Sequence, residues 1–468
     1  MLQEWERNTI AMLKKNDIPG LAAGLSRDGQ TLMCGGYGWR DLEQQLPVTA
    51  HTTFGLASIT KTFTALAIMM LQESGKLSIE DEVMKWLPEL HLPPQYRNHI
   101  RIRHLLNHTA GLPDLTLYYR MMVPSLREDK PYRKSERLPF HPHRVTEVAT
   151  MEQFIELFNA TTKEGFGPPG INYSYSNEGY MFLDEIVSRS SGQSYIEYVT
   201  TRIIGPLGME NTLFGQSSRP VAPELTAIYH SYSVRNWSSP WRKSLQSRPA
   251  QSWIHSGPVY GHGHLLSSAA DMLVFAELFY QEGVARGTRL VRKESIQKMI
   301  SGRLGLSVQN WKNGQTLVGH AGGQKGMSSD LYIAVEAKVA AIALANTTRA
   351  PVWDVTLSGI NATMNRPLFD LPLADEGAFN AAVIGSRLEG DYTSSRLGKL
   401  QIWSDNQQLF GKLKGIKGLV IPKLRISLQQ HDKLMLGRFP ARILLDEDGR
   451  VIGISLGPGY YFARYGNN

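Results

Sequence analysis

Residues 61–74 carry Phe63, Leu66, Ala67, Met70 and Leu71 at helical spacing, and Gly75 ends the run. A helix this apolar belongs inside a large core, yet it opens on a lysine. Lys61 stands three positions after Ser58 in Ser58-Ile59-Thr60-Lys61, and residues i and i+3 share a helix face. The fold must therefore bury an amine beside a hydroxyl at a helix start. The strand-like segment Thr53–Ala57 leads into it. A chain of 468 residues can supply the core, as two or three domains or as one large domain with an appendage.

Composition narrows the class. With 42% hydrophobic and 20% charged residues, a mainly disordered or fibrous chain is excluded. The one cysteine, Cys34, rules out an intrachain disulfide and a Cys-based zinc site. The net charge of +8 is spread out, densest at Arg97–Arg103, without the concentrated basic stripe of a nucleic-acid binder, so no nucleic-acid partner is expected. The longest apolar stretches, Ala65–Leu71 and Val339–Ala345, are too short to span a bilayer, so no transmembrane segment is expected. The first twenty residues read as an amphipathic helix without the regions of a signal peptide. That reading fits a cytoplasmic chain, or an exported one whose signal has been removed.

Patterning predicts a helix over 2–17, then strands Leu21–Leu25 and Thr31–Trp39 joined by a turn at Asp28-Gly29. Residues 113–150, rich in Pro, Arg and Lys, read as a long loop over the surface or the site. Helical spacing returns at 151–159, 177–190, 194–203, 268–282 and 351–363, with strands between 302 and 346. Residues 366–386 read as a linker. Beyond it come short alternating segments from Leu400–Trp403 to Tyr460–Tyr465, the pattern of a small antiparallel sandwich or barrel. The expected division is a catalytic domain over 1–365, a linker over 366–386 and a β domain over 387–468.

Three local patterns can carry chemistry. A serine hydroxyl is a weak nucleophile until a base takes its proton, and burial lowers a lysine's pKa toward that task. The helix start also turns backbone N–H groups toward developing negative charge. Tyr175-Ser176-Asn177 supplies a phenol that can share a proton with a lysine, and an amide that can orient the lysine or bind substrate. His320-Ala321-Gly322-Gly323 follows a strand, and its glycines let a substrate backbone lie against an edge. The Gly323 and Ser58 N–H groups could together form an oxyanion hole.

Taken in order, these patterns resemble the serine β-lactamase and penicillin-binding-protein-like family. The branch is that of class C β-lactamases, D-aminopeptidases and β-lactamase-like esterases. The stretches IPGLAAGLSRDGQ, IRHLLNHTAGLPD, PLGMENTLF and GHGHLLSSAADMLVF extend the resemblance over roughly residues 5–365. It implies an α+β fold: an antiparallel sheet flanked by helices, an α-helical subdomain, and an active site between them. It also implies an acyl-enzyme on Ser58, Lys61 as its base partner, Tyr175 as proton shuttle and Asn177 as a contact to lysine and substrate. His320, Gly322 and Gly323 would bind substrate, with no cofactor and no metal. The substrate would be a small molecule or short peptide: a D-amino-acid-containing peptide, a small ester or, slowly, a β-lactam. An acyl transferase or a non-catalytic penicillin sensor would share the fold. His320 stands where β-lactamases carry a lysine. A neutral imidazole donates one uncharged bond to a β-lactam carboxylate, a shortfall of roughly 1–2 kcal/mol. The C-terminal segment resembles the small lipocalin-like barrel of some peptidase members, which can mediate homo-oligomer contacts or restrict access to the site.

Other motifs read as bland. Ser295-Ile296-Gln297-Lys298 repeats the spacing amid charged neighbours and reads as a solvated helix face. Gly453-Ile454-Ser455-Leu456-Gly457 mimics a nucleophile elbow but lacks a following helix and a downstream histidine. His262-Gly263-His264 and His141-Pro142-His143 lack a third metal ligand at usable spacing, and the first pair reads as a glycine loop lining the cleft. Cys34 reads as a small buried hydrophobe.

Overall fold

The structure is a computed structural model. It describes all residues except 114, 116, 130–140, 162–165, 172, 216–221, 223, 237–238, 251–252, 254–256, 258, 312–313, 370–387, 395–397, 406–407, 416–419, 431–432, 437–438, 446–450, 456–460 and 465–468. Most of the expected linker and the middle of the 113–150 segment therefore lie outside the described residues.

Helix α1 (Leu2–Lys15) leads into β1 (Gly20–Arg27), β2 (Gln30–Asp41) and β3 (Leu46–Pro47). The β1–β2 turn puts Asp28 at φ 49° and Gly29 at φ 79°, the doubly left-handed geometry that Asp-Gly tolerates and strand twist requires. Helix α2 (Thr60–Glu73) follows the serine, α3 (Asn177–Ser191) follows the tyrosine, and α4 (Ala269–Tyr280) precedes the second set of strands. Strands β4 (Ser307–Asn310), β5 (Thr316–Gln324), β6 (Met327–Ala334) and β7 (Val339–Ala345) complete a seven-stranded sheet in the order β4-β5-β6-β7-β1-β2-β3. Its pairs are antiparallel. Helix α5 (Val352–Thr363) returns across it.

The period-two alternation of strand side chains decides what each face of this sheet buries. Leu21, Ala23 and Leu25 of β1, with Val339, Ala341 and Ala343 of β7, pack with Trp5 of α1 and Val355 and Ile360 of α5. Ala22, Ala340, Ile342 and Leu344 turn the other way, into the core shared by α2, α3 and α4. Both faces of the central strands are thus covered, and β7 reads as a continuous apolar run. The Trp5 indole donates to the Val355 carbonyl at 2.8 Å, pinning α1 to α5. The α+β class expected from the resemblance is what the structure has.

Two readings change. The 113–150 segment is not loop throughout: Tyr118–Met121 and Val123–Glu128 are short helices, and Pro142–Arg144 is a single turn. Their Met121, Val123 and Leu126 are buried, so packing overrides the polar composition around them. Ser295 is not on a solvated face. It is buried, and its hydroxyl donates to Glu73 at 2.5 Å, tying its helix (Lys293–Ser301) to the end of α2.

The last eight strands, β8 (Gly390–Ser394), β9 (Gly398–Asp405), β10 (Gln408–Lys414), β11 (Val420–Gln430), β12 (Lys433–Leu436), β13 (Phe439–Leu445), β14 (Val451–Ser455) and β15 (Tyr461–Arg464), pair in chain order and close into a barrel. Closure comes from Tyr392 against Arg464 and Thr393 against Ala463. A separate apolar cluster fills it, including Tyr392, Leu400, Ile402, Ile426 and Ile454. Ser455 ends β14 and pairs with Arg442 and Tyr461, so its peptide is part of the barrel wall.

Candidate active site

The site begins at a strained turn. Ala57 holds φ 47°, a left-handed conformation that a residue with a Cβ enters only when its surroundings force it. The short strand Phe54–Gly55 is paired to Leu265–Ser267, and the chain must turn sharply to start α2. Ser58 sits in the single turn Ala57–Ile59 that makes this change, and its side chain emerges half-buried.

Lys61, in the first turn of α2, is completely buried. Its Nζ donates to Ser58 Oγ at 3.1 Å, to Asn177 Oδ1 at 2.9 Å and to the His262 carbonyl at 2.5 Å. Three oxygens surround the amine and fix its direction: the ammonium form donates to all three, whereas the neutral form donates to two and turns its lone pair to the third. Burial holds its pKa well below the usual lysine range, with the Glu178 charge opposing the shift. The Tyr175 hydroxyl donates to the same Ser58 Oγ at 2.8 Å, and its ring lies 5.0 Å from the lysine nitrogen. Burial pushes the Tyr175 phenol upward.

Helix α3 places Asn177. Ser176 caps it by accepting from the Gly179 N–H at 3.1 Å, so Tyr175 precedes the cap and Asn177 opens the helix. Behind Tyr175 lies the buried ring of His108, stacked on it with centroids 4.2 Å apart. His108 Nδ1 accepts from the Ser176 N–H at 3.1 Å. The loop bearing the His262 carbonyl is held by Asp184, which accepts from the N–H groups of Tyr260 and Gly261 at 2.7 and 2.8 Å. Thr64 of α2 donates to the Gly261 carbonyl at 2.7 Å.

Strand β5 forms the opposite wall. Strand β4 pairs with it only as far as Gly319, so 320–324 has an open edge among the described residues. A Cβ on Gly322 would stand 2.3 Å from the Leu56 carbonyl oxygen, so only glycine lets β5 approach the serine turn. A Cβ on Gly323 would meet nothing within 4 Å. The His320 ring lies against Tyr175 with centroids 6.3 Å apart. Burial, aided by the Lys61 charge, lowers its pKa to about 4.

A cavity of about 310 Å³ opens over Ser58; Ala57, Ser58, Asn177, His262, Gly263, His264 and Gly323 line it. Tyr118, Tyr119, Met122 and Arg349 line it too. No chemical spacing in the sequence pointed to these four; the Tyr118-Tyr119 pair stood out there only as a mark of the long segment. His108, likewise, carries no spacing signal. The segment bearing the two tyrosines is tied to the turn after β5 by a completely buried ion pair, Lys325 to Asp129 at 3.0 Å. Among the described residues no group of three or more His, Cys, Asp or Glu could hold a metal ion. Cys34 is half-buried, and burial raises its thiol to about 11.

Related proteins share this fold. The chain is 25% identical over 398 residues, 83% of its length and 82% of the relative's, to "Penicillin-binding protein 4*" of Bacillus subtilis. The octameric penicillin-binding protein homologue from Pyrococcus abyssi superposes with TM-score 0.65 at 24% identity, over 99% of this chain and 100% of that one. The D-amino acid amidase from Ochrobactrum anthropi superposes with TM-score 0.59 at 20% identity, over 78% of this chain and 97% of that one. The family model described as Beta-lactamase matches residues 5–356, the span that holds the serine turn, the tyrosine cap and the β5 edge, and the chain belongs to that family.

Proposed function

We propose that this chain is a serine hydrolase that forms an acyl-enzyme on Ser58 and acts on D-amino-acid-containing peptides or small esters. The observation that carries this is the convergence of Lys61 Nζ and Tyr175 Oη on one Ser58 oxygen, with the lysine completely buried. A lysine held neutral by burial can take the Ser58 proton as Oγ bonds the substrate carbonyl carbon. Because burial raises Tyr175, its resting form is the phenol, and it acts as the proton donor. Its proton passes to the leaving atom as the old bond to the carbonyl carbon breaks, and the Lys61 ammonium beside it replaces that proton. Water then attacks the acyl carbon, gives its proton to the same pair, and Ser58 regains a proton as its ester bond breaks. The N–H groups of Ser58 and Gly323 serve the oxyanion, and Asn177 holds the lysine and meets the substrate.

The D-amino acid amidase neighbour supports a D-configured acyl group, and the penicillin-binding relative supports a β-lactam as a slow alternative. We further propose that the catalytic unit spans 1–365 and that the barrel from 387 is a lipocalin-like domain apart from the chemistry. The test is Ser58→Ala. Hydrolysis of a p-nitrophenyl ester should fall by about three orders of magnitude or more with unchanged circular dichroism. Ser455→Ala, in the barrel wall, should leave the rate within about twofold. Retention of most activity in Ser58→Ala would refute the assignment.

A further inference from the structure

His320 Nδ1 lies 2.6 Å from the carbonyl oxygen of its own neighbour, Ala321. A carbonyl only accepts, so Nδ1 carries the ring proton in this contact. The remaining nitrogen, Nε2, then holds a lone pair. Nε2 bonds no described group and is not among the buried polar atoms left without a partner, so it is open to solvent. The groups around the ring reinforce this state. Tyr175 lies against it, and a proton on either Lys61 or the buried His108 would oppose a positive charge on this ring. The Ala321 carbonyl favours an imidazolium, but burial outweighs it and keeps the ring neutral at pH 7. The expectation that His320 would donate to a substrate carboxylate is therefore reversed: it presents an acceptor.

The position of the acceptor says which substrate atom it meets. In the acyl-enzyme reading, on which this inference rests, Tyr175 delivers a proton to the leaving atom. That atom must then lie beside the Tyr175 hydroxyl, and the Tyr175 ring neighbours that of His320 with centroids 6.3 Å apart. We propose that His320 selects secondary amides: Nε2 accepts the N–H of the scissile amide and so turns the nitrogen lone pair toward the Tyr175 hydroxyl. As Ser58 Oγ bonds the carbonyl carbon, the nitrogen becomes pyramidal, keeps its N–H on His320 and takes the Tyr175 proton on its lone pair. The C–N bond then breaks and a neutral amine leaves. Of the three substrate classes, only a secondary amide offers that N–H. An ester has oxygen there, and the nitrogen of a β-lactam ring is fully substituted. The substrate class this favours is a peptide or amide of a D-amino acid rather than an ester or a penicillin.

The test uses the full chain and one D-alanyl group on three leaving groups: a p-nitroanilide, its N-methyl derivative and the p-nitrophenyl ester. Nitrocefin serves as the β-lactam. Intact-mass labelling of Ser58 by a fluorophosphonate is followed in parallel. In His320→Leu, kcat/KM for the anilide should fall about tenfold relative to both the ester and the N-methyl anilide, the effect of one lost hydrogen bond. His320→Gln, whose side-chain carbonyl can accept, should restore much of that ratio. His320→Lys, which only donates, should lower the anilide ratio as leucine does and raise nitrocefin turnover by pairing with its carboxylate. If leucine does not fold, the lysine variant carries the comparison. An anilide-to-ester ratio unchanged by every variant, or wild-type chain that labels at Ser58 yet leaves the anilide intact, overturns the inference and spares the acyl-enzyme reading. Absence of label in the wild type removes both.

Discussion

Lys61 sits in an environment that its own chemistry opposes. Burial without exposed surface pushes the lysine toward its neutral form, and the three oxygens around it oppose that shift by favouring the ammonium. The neutral amine is the form that can accept the serine proton. As pH falls through the lowered pKa, the lysine protonates and the base is lost. We therefore expect kcat/KM to decline on the acidic side with a midpoint well below the ordinary lysine range, read from a pH–rate profile with an ester. Asn177→Ala removes one oxygen from the ammonium form and should move that midpoint further down. A profile that declines only below pH 9 or above, at an ordinary lysine value, would contradict the assignment of Lys61 as base. The spacing of Ser58 and Lys61 was legible in the sequence because both lie on one helix. The His262 carbonyl was not legible, because a backbone oxygen carries no sequence signature.

At the level of elements, the site depends on segments far apart in the chain. The helix Val123–Glu128 is joined to the turn after β5 through Asp129 and Lys325, both completely buried. Two charges inside protein persist only as a pair, since removing one partner strands the other. Lys325→Met should therefore destabilise the chain by about 3–5 kcal/mol in denaturant unfolding. Adding Asp129→Leu should recover most of that loss, because an apolar pair leaves no stranded charge. A double variant no more stable than the single one would show that the pair's other contacts carry the segment. Neither residue stood out in the sequence. A lysine between Gln324 and Gly326 looks like an ordinary turn residue until the 118–129 segment closes over it.

At the scale of the molecule, the sheet that carries the site is covered on both faces and the barrel has its own apolar filling. Among the described residues no helix is long and apolar enough to cross a membrane. The Pyrococcus abyssi neighbour, which superposes over nearly the whole chain, is octameric. We propose from the C-terminal strand pattern that this chain forms homo-oligomers through its barrel, and light scattering on the intact protein should give a mass that is a multiple of 52.3 kDa. A mass of one chain at micromolar concentration would refute this.

Local spacing by itself determined the apolar helix behind Ser58-x-x-Lys61, the Asp28-Gly29 hairpin and the change to alternating strands beyond residue 387. Each is written within a few residues, where helix period, strand period and turn chemistry act. The tertiary structure decided the rest. It decided that Tyr175, 117 positions from Ser58, reaches the same oxygen as Lys61. It decided that the 113–150 segment holds helices and that Ser295 is buried. It also decided that His320 offers a lone pair, because its proton is committed to the Ala321 carbonyl. Contacts between distant segments, and the direction of a ring within its strand, follow from packing. No short window of residues encodes them.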